Sequence, residues 1–398
     1  MAKAFLGKFG DELVTIEDGR LKMRNTATNE TREGDFSEVR VLKDAVKKEP
    51  GEDELFVFDE KHQNLLPNAS DAECMHYFVT KTNDGKEGIY DEDGNRITEN
   101  KYDSVEAVYC GIDFRDVKDV FMVKNGDFYG LVGCNGLEIV SPVYDSITFW
   151  EEYEVATAKI GTKFRLLLAN GRTIHLPDGY KSVESIAPDI AKVMVESDAE
   201  ERYGVINKYG ELIIPCNYIE VSYDCRVGIW VTGEKGKVGI VDKTGQFIIL
   251  DVFDEIMFSD IRNIFITMRE GLTGRFSKDG IQIVPTIYDS IRNSYMPDSD
   301  IIDGFIVNDE FRFGLYDIEG HLIVNPKYDL IHHRTRPFGD CWLAEINGKK
   351  VVVNNEGTEI GKRYRDISLI KGRTDYVKVK EFLSWRYMDK EGNEVNKI

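Results

Sequence analysis

Residues whose types suit chemistry concentrate in one irregular stretch, IHHRTRPFGDCWLAE (331–345). Two adjacent histidines on a strand point to opposite faces, so they form a poor metal chelate. The stretch is either a longer loop between regular elements or a basic and aromatic patch that contacts a partner. Trp150 and Trp230 could add to such a patch, although a core position also explains each. The residues of the patch itself are His332, His333, Arg334, Arg336 and Trp342.

The familiar catalytic patterns do not occur in the sequence. There is no G-x-S-x-G elbow, no Walker A loop and no G-x-G-x-x-G loop, and the six histidines are scattered. Carboxylates are abundant, so a carboxylate-dependent glycan hydrolase stays open as an alternative. However, the acids recur at the turns of the repeat described below. We therefore expect a protein that is not an enzyme and that needs no cofactor.

A calcium loop is a poor interpretation of Asp91–Asn95, DEDGN. An EF-hand loop carries a glutamate at its twelfth position, which here is Tyr102. The other copies of this turn do not reproduce the aspartates. A polar hairpin turn is the better interpretation, and no metal is expected.

The charge balance limits the class of partner. Lys and Arg number 51 against 71 Asp and Glu, which gives a net charge of −20. Such a chain is unsuited to nucleic acid or to anionic membrane surfaces, because both require cationic groups on the protein. The charge suits a soluble protein, either for solubility alone or with a cationic partner.

The six cysteines show no C-x-x-C spacing, which predicts buried free thiols rather than a zinc site or a disulfide framework. The segment MAKAFLGKFGDELVTIEDG lacks a signal-peptide apolar region, and no run of about 18 apolar residues occurs. A cytoplasmic location is the resulting expectation.

The elements that position these residues follow an internal repeat. Copies are 35 to 42 residues apart, and two positions six residues apart recur in nine of them. The first position holds Gly88, Gly130, Gly204, Gly239, Gly274 and Gly314, with Arg165, Val351 and Arg386 in degenerate copies. The second position holds Gly94, Gly136, Gly171, Gly210, Gly245, Gly280, Gly320, Gly357 and Gly392.

An aromatic residue follows the second glycine, and an aspartate often comes directly after it. The aromatic residues are Tyr102, Tyr144, Tyr180, Tyr218, Phe253, Tyr288, Tyr328 and Tyr364. The aspartates are Asp103, Asp145, Asp254, Asp289 and Asp329. Two fainter copies precede these, at residues 12–24 and 55–67.

Each copy has the pattern of four short antiparallel strands. The second glycine supplies the positive φ of a hairpin turn between the second strand and the third, which is the aliphatic run, and Tyr-Asp-x-Ile is expected to begin the fourth strand. Proline then closes the aliphatic run, because it cannot continue a ladder. We expect the first glycine to allow close approach of the repeated aromatic from a neighbouring copy. The tyrosine is expected to fill the core with its hydroxyl on a backbone group, and the aspartate to form a local Asx-turn.

The residues of this unit resemble the WG-repeat family. The pattern is seen in Tyr129-Gly130-Leu131, in Asn135-Gly136, in the run 139–142 that ends in proline, and in Tyr144-Asp145-Ser146-Ile147. The resemblance covers about residues 55–398, and it implies a propeller-like fold without a particular activity. The chain departs from the family pattern because it has no Trp-Gly dipeptide.

The predicted fold is all-β, with tandem four-stranded antiparallel repeats that form a many-bladed β-propeller or, alternatively, an open β-superhelix. We expect a degenerate repeat with a helical or loop insertion in 1–54, continuous with nine to ten repeats in 55–398. Within the first part, residues 35–50 fit either a helix or a strand.

The predicted function is that of a scaffold whose loops between repeats bind a protein or peptide, which could be cationic. The alternatives are a carbohydrate-binding module and the hydrolase, with its two carboxylates in a central channel.

Overall fold

The protein is represented by a computed structural model that describes residues 3–9, 12–17, 20–25, 27–35, 38–42, 77–91, 95–115, 117–197, 199–260, 263–296 and 299–398. These residues contain 39 strands, two short 3-10 helices and no α-helix. The strands form ten antiparallel sheets, and each sheet pairs strands that are neighbours in the chain. The predicted all-β class with tandem four-stranded repeats is therefore confirmed, whereas closure into a ring stays a prediction.

The first compact unit spans Met1–Asn217 and contains sheets 1 to 5. Sheet 1 consists of β1 (Lys3–Phe9), β2 (Glu12–Glu17), β3 (Arg20–Asn25) and β4 (Thr31–Asp35), and sheet 2 of β5 (Glu38–Val41), β6 (Phe78–Lys81) and β7 (Glu87–Tyr90). Sheet 3 consists of β8 (Ser104–Phe114), β9 (Val117–Asn125), β10 (Phe128–Gly133) and β11 (Glu138–Tyr144). Sheet 4 consists of β12 (Ser146–Phe149), β13 (Val155–Ile160), β14 (Lys163–Leu168) and β15 (Thr173–His175), with the 3-10 helix Glu151–Tyr153 after β12. Sheet 5 consists of β16 (Tyr180–Ala187), β17 (Ile190–Ser197), β18 (Glu200–Asn207) and β19 (Leu212–Tyr218).

The second compact unit spans Tyr218–Ile398 and contains sheets 6 to 10. Sheet 6 consists of β20 (Glu220–Asp224), β21 (Gly228–Thr232), β22 (Val238–Val241) and β23 (Phe247–Phe253), with the 3-10 helix Glu234–Gly236 before β22. Sheet 7 consists of β24 (Glu255–Ser259), β25 (Ile264–Arg269), β26 (Leu272–Ser277) and β27 (Gln282–Tyr288). Sheet 8 consists of β28 (Ser290–Tyr295), β29 (Ile302–Asp309), β30 (Arg312–Asp317) and β31 (Leu322–Tyr328). Sheet 9 consists of β32 (Leu330–Ile331), β33 (Trp342–Ile346), β34 (Lys349–Val353) and β35 (Glu359–Tyr364), and sheet 10 of β36 (Asp366–Ser368), β37 (Tyr376–Lys380), β38 (Trp385–Asp389) and β39 (Glu394–Val395).

The early part of the chain keeps the strand pattern where it is described. The fainter copy at 12–24 falls on β2 and β3, and β5 makes residues 38–41 a strand rather than a helix. The predicted boundary at residue 54 and the copy at 55–67 lie outside the described residues.

Apolar clusters join sheets that follow each other in the chain. One cluster joins Leu131 of β10 to Ala156 and Leu167 of sheet 4. Another joins Ile306 of sheet 8 to Val351 of sheet 9. Within each compact unit, apolar side chains of one sheet thus pack against those of a sheet next to it in the chain, as in other repeat proteins. The repeated aromatic is buried, as predicted, in Tyr102, Tyr144, Tyr218, Phe253, Tyr288, Tyr328 and Tyr364.

Four of these tyrosines, Tyr144, Tyr288, Tyr328 and Tyr364, have their hydroxyl bonded to a side chain, not to the backbone group that we expected. Tyr328 Oη donates to Glu359 Oε1 at 3.1 Å, and Tyr364 Oη donates to Glu394 Oε1 at 2.8 Å. Each glutamate belongs to the sheet that follows its tyrosine. The bond therefore links consecutive sheets.

The first glycine of the repeat faces a β-bulge in the fourth strand of its own sheet. The pairing of β10 with β11 shifts register opposite Gly130. A Cβ on Gly130 would lie 2.6 Å from the carbonyl oxygen of Val140 and 2.7 Å from the nitrogen of Pro142. The expected approach of a neighbouring aromatic is therefore wrong, because the group that excludes a side chain is backbone of the same sheet.

The second glycine does adopt positive φ, as the hairpin interpretation requires. The predicted strand order is wrong, however: the turn joins the third and fourth strands of a sheet, the fourth strand continues past its proline, as β11 does past Pro142, and Tyr-Asp-x-Ile leads into the following sheet. In six copies the turn begins with Asp or Asn, whose side-chain oxygen accepts the backbone N–H four residues later, for example Asp242 from Gln246 at 3.0 Å. Gly94 lies outside the described residues. The positive φ is seen at Gly136, Gly171, Gly210, Gly245, Gly280, Gly320, Gly357 and Gly392.

The aspartate after the aromatic does not form the local Asx-turn that we expected. Asp329 Oδ2 accepts the N–H of Asn347 at 2.5 Å, and Asp289 Oδ2 accepts that of Glu310 at 2.9 Å. Both donors belong to the hairpin between the second and third strands of the following sheet. The aspartate therefore fixes the corner between two sheets to the end of that hairpin.

Candidate functional site

The predicted patch at 331–345 contains a buried anchor. Arg336 Nη2 donates to Asp303 Oδ1 at 2.7 Å and to Oδ2 at 2.8 Å, and Nε donates to Oδ2 at 3.1 Å. The guanidinium stacks on Trp342, 4.8 Å from the ring centroid. Ser294 accepts from both Arg336 and Trp342. This cluster ties the loop before β33 to sheet 8.

Burial governs the electrostatics of this anchor. It lowers the pKa of Arg336, an effect that the hydrogen bond to Asp303 only partly offsets. Within the described residues, Arg336 Nη1 has no hydrogen-bond partner. Arg336 and Trp342, both predicted as partner contacts, are buried. Neither can meet a partner at the surface.

Two of the remaining basic residues of the patch, His332 and Arg334, pair with acidic side chains. His332 Nε2 lies 2.9 Å from Glu345 Oε1. Arg334 stacks 4.5 Å above the ring of Tyr295 and pairs with Asp300 at 2.9 Å. His333 is exposed and packs edge-on against Tyr295. The surface of the patch therefore carries both acidic and basic side chains and is not a basic surface.

Asp300 and Asp303 were not identified from the sequence as partners of this patch. A length difference could have revealed it: Tyr288 and Gly314 are 26 residues apart, whereas Phe253 and the equivalent Gly274 are 21 apart. The extra residues fall between β28 and β29. Asp300, which pairs with Arg334, lies between these strands, and Asp303, which pairs with Arg336, lies at the start of β29.

The two weaker tryptophan candidates lie against cores. Trp150 is buried and donates from Nε1 to Thr157 Oγ1 at 2.8 Å. Trp230 is half-buried at the edge of the sheet 6 cluster. Trp150 therefore cannot contact a partner, contrary to the prediction, and Trp230 exposes only part of its ring to solvent.

The cysteines are free thiols where the structure describes them. Burial raises the pKa of Cys341 to about 12, and burial also raises the pKa of Cys134 and Cys216. Cys225 is exposed, unlike the predicted buried thiols. The raised pKa values make the first three poor nucleophiles and poor metal ligands.

One group of metal-ligand type occurs among the described residues, formed by Asp317, Glu319 and His321. Asp317 Oδ1 accepts the N–H of His321 at 2.7 Å, and its Oδ2 lies 2.8 Å from the His321 ring Nδ1. Asp91 makes the same two bonds to Asn95 in another copy. The group is therefore the repeated hairpin turn, and the Asp91 turn is one as well.

Two highly exposed apolar side chains lie next to each other on a hairpin in sheet 10. The segment Glu381–Trp385, which we call the apolar hairpin, connects β37 to β38. Phe382 is 75% exposed and Leu383 is 92% exposed. The equivalent connections in other copies are mostly polar, for example EG at 270–271 and NG at 347–348. The sequence signal was visible in KEFLSW, where two apolar residues occupy a turn.

A shallow pocket of about 70 Å³ opens beside the apolar hairpin. Two of its carboxylates, Glu381 and Glu394, are bridged by Lys362 at 2.9 and 3.1 Å. Burial raises the pKa of Glu394, but hydrogen bonds from Tyr364, Lys362 and Arg386 outweigh burial and lower the pKa overall. The lining residues are Tyr364, Val379, Glu381, Phe382, Ser384, Arg386 and Glu394.

Comparisons with known proteins do not assign a family. No family model matches the chain, and no curated protein matches it. Solved structures that resemble it include a eukaryotic initiation factor (10% identity, TM-score 0.29, 73% of this chain and 85% of that chain). Others are Sqt1 of Saccharomyces cerevisiae (12%, 0.22, 75% and 97%) and Hsv2 of Kluyveromyces lactis (9%, 0.27, 77% and 98%). The repeated sheets themselves, rather than these distant likenesses, establish the fold class.

No helix among the described residues combines the length and the hydropathy that a membrane span requires.

Proposed function

We propose that the chain is a non-enzymatic repeat scaffold that binds a protein or peptide through the apolar hairpin. The observation that carries the proposal is the joint exposure of Phe382 and Leu383 on one turn. Burying each side chain would stabilise a complex by about 1.5–3 kcal/mol. A turn that serves only to connect two strands gains nothing from such residues, whereas a binding surface uses them as central anchors.

The neighbouring pocket supports a macromolecular partner. At about 70 Å³ it is much smaller than the ~300–1,000 Å³ typical of small-molecule sites. It is of a size to accept part of one side chain of the partner. Phe382 forms part of its wall, so the anchor and the pocket make one surface.

The carboxylates of the pocket do not favour glycan hydrolysis. A hydrolase of this type needs one carboxylic acid with a raised pKa to protonate the leaving group. The pKa of Glu394 is instead lowered, and Lys362 bridges it to Glu381. The pair therefore serves to hold sheets 9 and 10 together.

The partner segment that fits this surface is apolar at its centre and cationic at its flanks. The apolar hairpin accepts the apolar part, and the net charge of −20 attracts basic residues.

The test is a selection of peptides from a random display library on the immobilised chain, followed by calorimetric titration of the selected peptides. Changing Phe382→Ser and Leu383→Ser together is expected to weaken binding by about a hundredfold, which corresponds to about 3 kcal/mol. The matched control is Phe311→Ser, because Phe311 is an exposed aromatic on the equivalent turn of sheet 8. Selected peptides that bind the double variant as tightly as the unmodified chain would contradict the proposal, as would a selection that enriches nothing.

A further inference from the structure

The fourth strand of each sheet is an edge, and most copies carry a feature that prevents another strand from adding to it. β15 and β39 are only three and two residues long, and β4 and β35 are rich in charged residues and contain glycine. The remaining protected strands, β11, β19, β27 and β31, contain Pro142, Pro215, Pro285 and Pro326.

β23 lacks all of these protections. Its sequence, FIILDVF, has seven residues, one charge, and no glycine or proline. Leu250 and Asp251 occupy the two slots where the other copies place proline. Leu250 is 59% exposed, and Val252 is exposed as well. Among the fourth strands of the described four-stranded sheets, β23 is thus the apolar edge that has no feature to prevent strand addition.

The centre of β23 occupies a position where another copy has a proline. β22 and β23 pair in the same register as β26 and β27, which aligns Leu250 with Pro285. Pro285 has no N–H, and β26 and β27 pair nevertheless. The third strand of a sheet therefore does not require a hydrogen bond from the backbone N–H at this position of the fourth strand. We infer that the N–H of Leu250 is free to bind another chain.

The neighbouring sheet limits the length of the open edge. Gly280, in the turn of sheet 7, packs so closely against β23 that any Cβ there would collide with the carbonyl oxygen of Ile248. The same contact recurs between Gly320 and Ile283. The start of β23 is therefore covered, and the open part is Leu250–Val252, which suits a short extended segment.

Charge favours a basic segment over a second copy of the chain. Asp251 lies over Gly239, half-buried, and makes no hydrogen bond or ion pair within the described residues. A second copy would bring its own Asp251 and a net charge of −20 to the same edge. A Lys or Arg side chain would instead neutralise this carboxylate.

We propose that Leu250–Val252 binds an extended partner segment by strand addition, and that this segment alternates apolar residues with Lys or Arg. Backbone hydrogen bonds would provide the affinity, and the side chains flanking Asp251 would provide the specificity. The proposal rests on the proposed function as a scaffold, and it gives that scaffold a second contact, separate from the apolar hairpin.

The probe is a fluorescent, terminally blocked heptapeptide of alternating Val and Lys, whose dissociation constant is measured by fluorescence anisotropy with the full chain. Leu250→Pro installs the residue that Pro215 and Pro285 already provide, so the fold is expected to be kept. Circular dichroism and the unfolding midpoint check this. Binding is expected to weaken about tenfold or more in this variant, and hydrogen exchange at 250–252 is expected to slow when the peptide binds the unmodified chain.

A second variant keeps the test independent of proline. Asp251→Lys should weaken binding of the Val-Lys peptide and strengthen binding of a Val-Glu peptide. Peptides selected for binding to the apolar hairpin should bind Leu250→Pro as tightly as the unmodified chain, which separates failure at the edge from failure of the apolar hairpin. Equal binding of the Val-Lys peptide to folded Leu250→Pro would overturn the proposal. So would a dimer, seen by light scattering, that Leu250→Pro abolishes, because a second copy would then be the occupant.

Discussion

Replacing Arg336 by Met removes the cation of the buried anchor while keeping much of its apolar volume. The side chain of Arg336 is 1% exposed and that of Asp303 is 18% exposed, and three hydrogen bonds join them. Removing one member of a buried ion pair leaves the other charge without compensation, which typically costs about 3–5 kcal/mol. We expect Arg336→Met to destabilise the chain by about that amount.

The assay is thermal unfolding of the full chain followed by circular dichroism. The second unit, Tyr218–Ile398, has 398 − 218 + 1 = 181 residues. For that size, each kcal/mol shifts the midpoint by about 2–4 °C, so the expected fall is on the order of 10 °C. The matched control is Arg334→Met, two residues away, because its pair with Asp300 is exposed. That change is expected to cost less than about 1 kcal/mol.

A double variant tests the reasoning behind the magnitude. Replacing both partners, as Arg336→Met with Asp303→Leu, removes both buried charges and should recover most of the lost stability. If Arg336→Met unfolds no earlier than Arg334→Met, or if the second change lowers the midpoint further, then the pair does not act as a buried anchor.

Three further predictions concern the repeated positions. Gly314→Ala should destabilise the chain by about 1–3 kcal/mol in chemical denaturation, because its Cβ would lie 2.6 Å from the Val324 carbonyl oxygen. An unchanged denaturation midpoint would contradict the explanation that the β-bulge excludes a side chain at this position. Asp329→Ala should cost about 1 kcal/mol and speed hydrogen exchange at the Asn347 amide, and unaltered exchange there would refute the link. The lowered pKa of Glu394 means that its stabilisation is present above the unfolded value of about 4.3 and is lost as pH falls through the folded pKa. Glu394→Gln should therefore reduce the fall in unfolding midpoint between about pH 5 and pH 3, whereas an identical acid profile would contradict this role.

The sequence alone determined the strands and turns, because these depend on local periodicity. Two glycines at a fixed offset, a turn that begins with Asp or Asn, and an aliphatic run define a strand-turn-strand unit without reference to distant residues. Gly320 illustrates this, since its positive φ follows from its place in a hairpin. The burial of Tyr328 was also predictable, because a large aromatic that recurs in eight of the nine copies is expected to fill a core.

The partners of the repeated side chains were decided by tertiary structure. Asp329 could have bonded its own turn, and only the packing of sheets 8 and 9 brings Asn347 within reach of it. Gly314 faces a bulge whose position depends on the register of two strands. Sequence spacing does not specify such a register shift, because one extra residue in a strand has little effect on the pattern.

The candidate site shows the same division. The irregular stretch at 331–345 was found from the sequence, but burial placed Arg336 and Trp342 inside the protein, since their partners Ser294 and Asp303 lie on two strands of sheet 8, β28 and β29. The exposure of Leu383 likewise depends on which end of a sheet its turn occupies. The sequence by itself determined which segments depart from the repeat. Only the tertiary structure decided which of them face solvent, because burial is set by neighbours that are distant in the chain.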